Sequence, residues 1–118
     1  MIAFELRHGI TLPASLKTIL VQANGFPPGC TDADGFRFLP IQEYDKGECP
    51  LATIPSRTAF VFVDYLQWSW AYVMELGSLR YGSVYLIGTR DGKPQLVSRS
   101  MDEFLEYYLA DDGCLYPI

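Results

Sequence analysis

The stretch AFVFVDYLQWSWAYVMEL, residues 59–76, decides the fold because it predicts two neighbouring β-strands. Residues 59–63 form a continuous run of apolar, β-branched and aromatic side chains, which is typical of a strand covered on both faces. Further along, every second residue is large and apolar, which is the period of a strand. That face holds Trp68, Trp70, Tyr72, Met74 and Leu76.

Shorter strands are predicted on both sides of this pair. The segment FRFL, residues 36–39, places Phe36 and Phe38 on one side of a strand. The segment GSVYLIG, residues 82–88, predicts another strand, and Asp91-Gly92 predicts a hairpin turn into QLVSRS, residues 95–100.

Helices are predicted near both ends of the chain. In ITLPASLKTILVQANGF, residues 10–26, Thr11 can cap a helix that Asn24-Gly25 ends in the left-handed conformation. The apolar stripe of that helix is Leu12, Leu16, Ile19, Leu20 and Ala23. A second helix begins at Ser100, which stands at capping-box spacing from Glu103. Its expected buried stripe is Met101, Phe104, Leu105, Tyr108 and Leu109. Residues 2–8 fit either a strand or a short helix, and we favour the helix.

Together these patterns predict one α+β domain spanning residues 1–118. We expect a mainly antiparallel, mixed sheet of about five or six strands with helices packed on one face.

Charge and cysteine usage limit the classes of partner and the compartment. A formal net charge of -5 argues against nucleic-acid binding. The chain has an odd number of cysteines, Cys30, Cys49 and Cys114, and no two of them form a C-x-x-C pair. We therefore expect a reducing, cytoplasmic location. The uncharged residues 65–74 are half the length of a membrane-spanning helix, which needs about 20 residues, so no membrane role is expected.

No constellation of catalytic side chains stands out in the sequence. His8 is the only histidine and is expected at the surface, while Cys114 is expected to be an inert packing thiol. We therefore predict a protein that is not an enzyme and that uses neither a metal nor another cofactor. Asp64 fits two interpretations, a strand-end residue bonded to nearby backbone N–H groups or a member of a binding face. The tryptophans likewise fit either a core or a site.

The order and spacing of four segments resemble the SUKH superfamily, which includes fungal cell-wall-synthesis regulators and many bacterial immunity proteins. The segments are residues 10–26, VFVDYLQWSWAYVMEL (61–76), GSVYLIG (82–88) and SRSMDEFLEYYLADDGCLYP (98–117). This resemblance implies a sheet flanked by helices. It also implies a domain that neutralises a toxin by binding it, without catalysis of its own.

The leading hypothesis is thus a non-catalytic protein-binding domain, an immunity-type protein that neutralises a cognate toxin stoichiometrically. The alternatives are a small-molecule or sugar-binding module and a general regulatory adaptor. We expect a protein partner, such as a basic secreted toxin domain, and a monomer or weak homodimer. The candidate partner-binding residues are Asp32, Asp34, Glu43, Asp45, Asp64, Tyr65, Gln67 and Trp68.

Overall fold

The fold is taken from a computed structural model that describes residues 2–22, 25, 32, 34–44, 58–66, 69–77, 80–88 and 93–117. Its helices are α1 (Ile2–His8), α2 (Ala14–Gln22) and α3 (Met101–Ala110). Its strands are β1 (Phe36–Phe38), β2 (Ala59–Tyr65), β3 (Trp70–Glu75), β4 (Val84–Ile87) and β5 (Gln95–Ser98). Single 3₁₀ turns lie at Ile41–Glu43 and Gly113–Leu115.

The described strands form one five-stranded sheet in the order β1-β2-β3-β4-β5, and each pair of neighbours is antiparallel. The α+β prediction is confirmed. The described part of the sheet contains only antiparallel pairs, so the parallel component implied by a mixed sheet is not found there. A register shift between Val61 and Val63 places a β-bulge in β2.

Helix α3 covers one face of the sheet through ring-to-ring contacts. The Phe104 ring lies 5.2 Å from that of Phe62 and 5.4 Å from that of Tyr72, and Tyr108 lies 5.1 Å from Phe38. The side chains of the opposite face are buried as well, among them Arg37, Asp64, Ala71, Val73 and Ile87. The central strands are therefore covered on both faces, as the run at residues 59–63 predicts.

Residues 2–8 form a helix, which confirms the favoured prediction for α1. In α2 the predicted stripe is buried at Leu16 and Leu20, and Leu12 is buried just before the helix begins. Gly25 has a φ of +79°, and a Cβ there would lie 2.3 Å from the backbone nitrogen of Pro40. Glycine is needed at this position both for the left-handed conformation and for the close approach of the two chain segments. Asn24 lies outside the described residues.

The capping of α3 is confirmed, but its buried stripe is narrower than predicted. Ser100 Oγ accepts a hydrogen bond from Glu103 N at 3.1 Å, and Glu103 Oε1 accepts one from Arg99 N at 3.1 Å. Leu109 is 83% exposed, so its predicted burial is wrong. At 3.6 residues per turn, a residue five positions beyond Phe104 lies about 140° around the helix from it, facing away from the sheet.

Candidate functional site

Four chain segments meet at one end of the sheet, where β1 and β3 begin and where β2 and α3 end. We call this surface the acidic–aromatic end, and its residues are Asp32, Asp34, Tyr65, Leu66, Trp70, Asp111, Asp112 and Tyr116. The Tyr65 and Tyr116 rings lie 6.1 Å apart, and Tyr116 also lies 6.1 Å from Phe36 at the start of β1. The surface is therefore built from distant parts of the sequence that the fold brings together.

The turn after β2 is held against the start of β1. Leu66 has a φ of +45°, and its N–H donates to the Gly35 carbonyl oxygen at 2.9 Å. A Cβ at Gly35 would lie 2.6 Å from Leu66 Cδ2, so the absence of a side chain at residue 35 lets the leucine lie across β1. Ser69 closes the turn, because its N–H donates to the Tyr65 carbonyl oxygen and its hydroxyl donates to that of Leu66.

The aromatic side chains of this end are fixed by stacking and by hydrogen bonds. Tyr65 and Trp70 are stacked with their centroids 4.3 Å apart and their planes 12° apart. Trp70 Nε1 donates to the Tyr72 hydroxyl at 3.1 Å, and that hydroxyl donates to the Leu115 carbonyl oxygen at 2.6 Å. Burial raises the pKa of Tyr72, so the hydroxyl keeps the proton that it donates. The partly exposed Trp70 ring is thus anchored to a buried network.

Asp32 connects β1 to α3. Its Oδ1 accepts hydrogen bonds from the N–H groups of Asp34 and Phe36, both at 2.9 Å, and its Oδ2 accepts one from the Tyr108 hydroxyl. Burial, followed by this hydrogen bond, raises the pKa of Tyr108. The backbone of Asp34, whose side chain is exposed, is therefore held by the carboxylate of Asp32.

Asp111 and Asp112 organise the chain after α3. Asp111 adopts the left-handed conformation at the helix end, with a φ of +51°, and its Oδ1 accepts a hydrogen bond from the Tyr116 hydroxyl at 2.5 Å. That bond raises the pKa of Tyr116. Asp112 accepts from Cys114 N at 2.8 Å, which lowers the pKa of Asp112. These bonds explain why two carboxylates stand at a helix C-terminus, where the helix dipole disfavours them.

The structure brings together only some of the predicted partner-binding residues. Asp32, Asp34 and Tyr65 lie at the acidic–aromatic end, whereas Asp64 is 2% exposed and lies on the opposite face of the sheet from Tyr65. The Asp64 carboxylate lies 3.5 Å from the Arg37 guanidinium, directly across the β1–β2 pair, a contact that neither sequence interpretation included. Glu43 contacts the same guanidinium at 3.1 Å. Asp45, Gln67 and Trp68 lie outside the described residues.

The acidic–aromatic end also includes residues that the sequence analysis did not single out. Leu66, Asp111 and Tyr116 belong to it but are absent from the predicted partner-binding residues, and the signal for Leu66 was its place in the family-like segment, residues 61–76. The pairing of Tyr116 with Asp111 depends on the 3₁₀ turn Gly113–Leu115, which carries no distinct sequence pattern.

The two side chains considered as reactive groups, His8 and Cys114, lie in different surroundings. The His8 ring lies between those of Phe4 and Phe60, with centroids 4.7 Å and 4.8 Å away, so this partly exposed histidine packs against aromatic side chains of the core. Cys114 is exposed rather than packed, because the 3₁₀ turn directs Leu115 inward instead. A hydrogen bond with Asp112 raises the pKa of the Cys114 thiol, which disfavours a nucleophilic thiolate.

An open groove of about 460 Å³ lies between α1 and the start of α2. Its charged side chains, Glu5 and Lys17, form an ion pair at 2.9 Å, and Glu5 also accepts a hydrogen bond from Leu12 N. Within the described ranges, no group of histidine, cysteine and carboxylate side chains is placed to hold a metal ion. In that same part of the chain, no helix is both long enough and apolar enough to cross a bilayer.

Comparison with known proteins gives one family. Neither a curated protein nor a solved structure matches the chain significantly. A family model does match, and it covers residues 2–107, which include the three helices nearly in full and all five strands. The chain therefore belongs to the SMI1/KNR4 family (SUKH-1).

Proposed function

We propose that this protein is an immunity-type protein that binds a cognate protein toxin stoichiometrically and blocks it, without catalysing a reaction. The observation that carries the proposal is the family match over residues 2–107. The family is known for immunity-type and regulatory domains, and it is generally non-catalytic. We propose further that the protein acts in the cytoplasm as a monomer or weak homodimer.

The acidic–aromatic end supports this proposal because it offers both charge and rigid apolar area. Asp34 is exposed, and the stacked pair of Tyr65 and Trp70 is partly exposed and held by a buried network. Tyrosine and tryptophan side chains dominate binding hot spots, and carboxylates around them favour a basic partner. With a net charge of -5, the whole chain adds to that attraction.

The proposed contact set follows from exposure. We retain Asp34 and Tyr65 as direct contacts and assign Asp32 to holding the turn that presents Asp34. Gln67 and Trp68 belong to the same β2–β3 connection in the chain and stay in the set as sequence predictions. Glu43 and Asp45 stay as secondary acidic candidates. Asp64 leaves the set because it is 2% exposed.

A regulatory adaptor is the second candidate, since the family also contains regulatory domains. Such a protein would use the same surface for a partner whose activity it directs rather than blocks. The two functions differ in what happens to the partner when the complex forms.

The experiment is co-expression with a toxin whose gene neighbours the gene for this protein. We expect the toxin alone to arrest growth, and we expect wild-type protein to restore growth and to co-purify with it in a fixed ratio. The variant Asp34→Asn should weaken the complex, whereas Asp102→Asn, which changes an exposed aspartate in the first turn of α3, should not. If growth is not rescued and no complex forms, the immunity proposal is wrong; a complex that leaves the partner active points to the adaptor.

A further inference from the structure

Leu66 is an exposed apolar residue at the centre of a charged surface. Its side chain is 52% exposed, although it stands in a hydrogen-bonded turn between two buried strands. The Leu66 side chain lies close to Gly35, and Gly35 directly follows the exposed Asp34 in the chain. Tyr65 precedes the leucine in the chain, and its ring stacks on that of Trp70. We call the exposed Leu66 side chain the tip and the exposed Asp34 carboxylate the acidic rim.

The tip is held in one position. The Leu66 N–H donates to Gly35 O at 2.9 Å, and the Leu66 carbonyl oxygen accepts from the Ser69 hydroxyl at 2.9 Å. The Leu66 Cδ2 lies 2.6 Å from where a Cβ of residue 35 would be. A rigid side chain loses little conformational freedom when a partner covers it, which is the property of a binding anchor.

The rim determines which partner can cover the tip. A partner that buries Leu66 also takes water away from the carboxylate of Asp34, which is next to Gly35 in the chain. A carboxylate that loses water needs a cation or hydrogen-bond donors in return, and a purely apolar partner would not supply them. Lysine and arginine supply them, and arginine also packs favourably on the faces of tyrosine and tryptophan rings.

We propose, resting on the proposed binding function, that Leu66 is the anchor of the interface and enters an apolar pocket rimmed by lysine or arginine on a protein partner. The positive φ of Leu66 provides a direct way to separate this role from a structural one. Glycine adopts that conformation freely and asparagine adopts it more readily than leucine, so Leu66→Gly and Leu66→Asn both keep the turn while removing the anchor.

The test does not depend on knowing the toxin. A random peptide library displayed on phage is selected on wild-type protein, and the enriched peptides are synthesised. Their affinities are measured by calorimetry for wild type, both Leu66 variants and Leu96→Ala. Leu96 is the matched control because it is 47% exposed and lies on β5, at the other edge of the sheet.

We expect enriched peptides in which lysine or arginine flanks an apolar residue. Both Leu66 variants should bind them at least about tenfold more weakly than wild type, with thermal unfolding midpoints that match it, while Leu96→Ala binds normally. Selection without basic peptides, selection without any binders, or equal binding by the Leu66 variants would overturn the proposal.

The outcomes for the two proposals are separate. If the adjacent toxin is neither bound nor neutralised but basic peptides bind at Leu66, the immunity role is wrong and the anchor stands. If the toxin is neutralised equally by wild type and by Leu66→Gly, the immunity role stands and the anchor is wrong.

Discussion

Replacing Arg37 with methionine removes the guanidinium that lies 3.5 Å from the Asp64 carboxylate. The side chains of Arg37 and Asp64 are only 8% and 4% exposed, so water cannot take the place of the lost cation. Breaking such a buried pair costs about 3–5 kcal/mol. Because a domain of this kind is stable by about 5–15 kcal/mol, Arg37→Met should remove about a fifth or more of the free energy of unfolding.

The same reasoning predicts how related variants behave. Glu43→Gln should cost at most about 1 kcal/mol, since the Glu43 side chain is 28% exposed and water screens its ion pair. The double variant Arg37→Met with Asp64→Leu replaces the pair by apolar side chains and should return to within about 1 kcal/mol of wild type.

Urea unfolding, monitored by circular dichroism, measures the free energy of unfolding of all three variants. With a slope of about 2 kcal/mol per molar urea, the midpoint for Arg37→Met should fall by about 2 M. The reasoning would be refuted if Arg37→Met lowered the free energy of unfolding by less than about 1 kcal/mol. It would also be refuted if the double variant lost as much stability as the single variants Arg37→Met and Asp64→Leu lose together. A double variant that is stable but no longer binds the partner would show that Arg37 or Asp64 is a contact residue after all.

Three further predictions follow from the contacts. Gly35→Ala should destabilise the fold by at least about 1 kcal/mol, because φ is +98° and the new Cβ would lie 2.6 Å from a side-chain carbon; Gly113→Ala, where nothing lies within 4 Å, is the control, and urea unfolding compares them. The pKa of Glu5 is lowered from 4.5, first by a hydrogen bond from Lys17, so its contribution to stability is present above pH 4.5 and is lost as the pH falls through the lowered value. Glu5→Gln should therefore lose less stability than wild type between pH 7 and pH 3, and equal losses would contradict this. In the proposed complex, raising the salt concentration should slow association, and Asp34→Asn should reduce that salt dependence in stopped-flow measurements.

The sequence predicted the elements of the fold because local patterns produce them. The capping spacing of Ser100 and Glu103 and the apolar run at residues 59–63 each depend on neighbours in the chain, and both are confirmed. The burial predicted for Leu109 was wrong because the periodic pattern of apolar residues does not show how much of the helix surface the sheet covers.

The site was harder to predict because it depends on contacts between distant residues. Asp64 was placed on a binding face since nothing in its own neighbourhood showed that Arg37 would lie opposite it across two strands. Leu66 was not predicted as a partner-binding residue, because a single leucine after a tyrosine does not indicate an exposed position. Its exposure and its contact with Gly35 depend on the turn conformation, which the sequence alone did not specify.

The strand order of the sheet has a consequence for how the protein folds. Since each strand pairs with the next one along the chain, the described sheet contains no crossover between distant strands. Pairings between sequence neighbours require little loop closure, and proteins rich in them fold faster than those dominated by long-range pairing. We therefore expect the sheet to form by successive addition of hairpins. In the chain, residues 39–58 separate β1 from β2, a greater separation than between any other two consecutive described strands, so docking of β1 should be the slowest step.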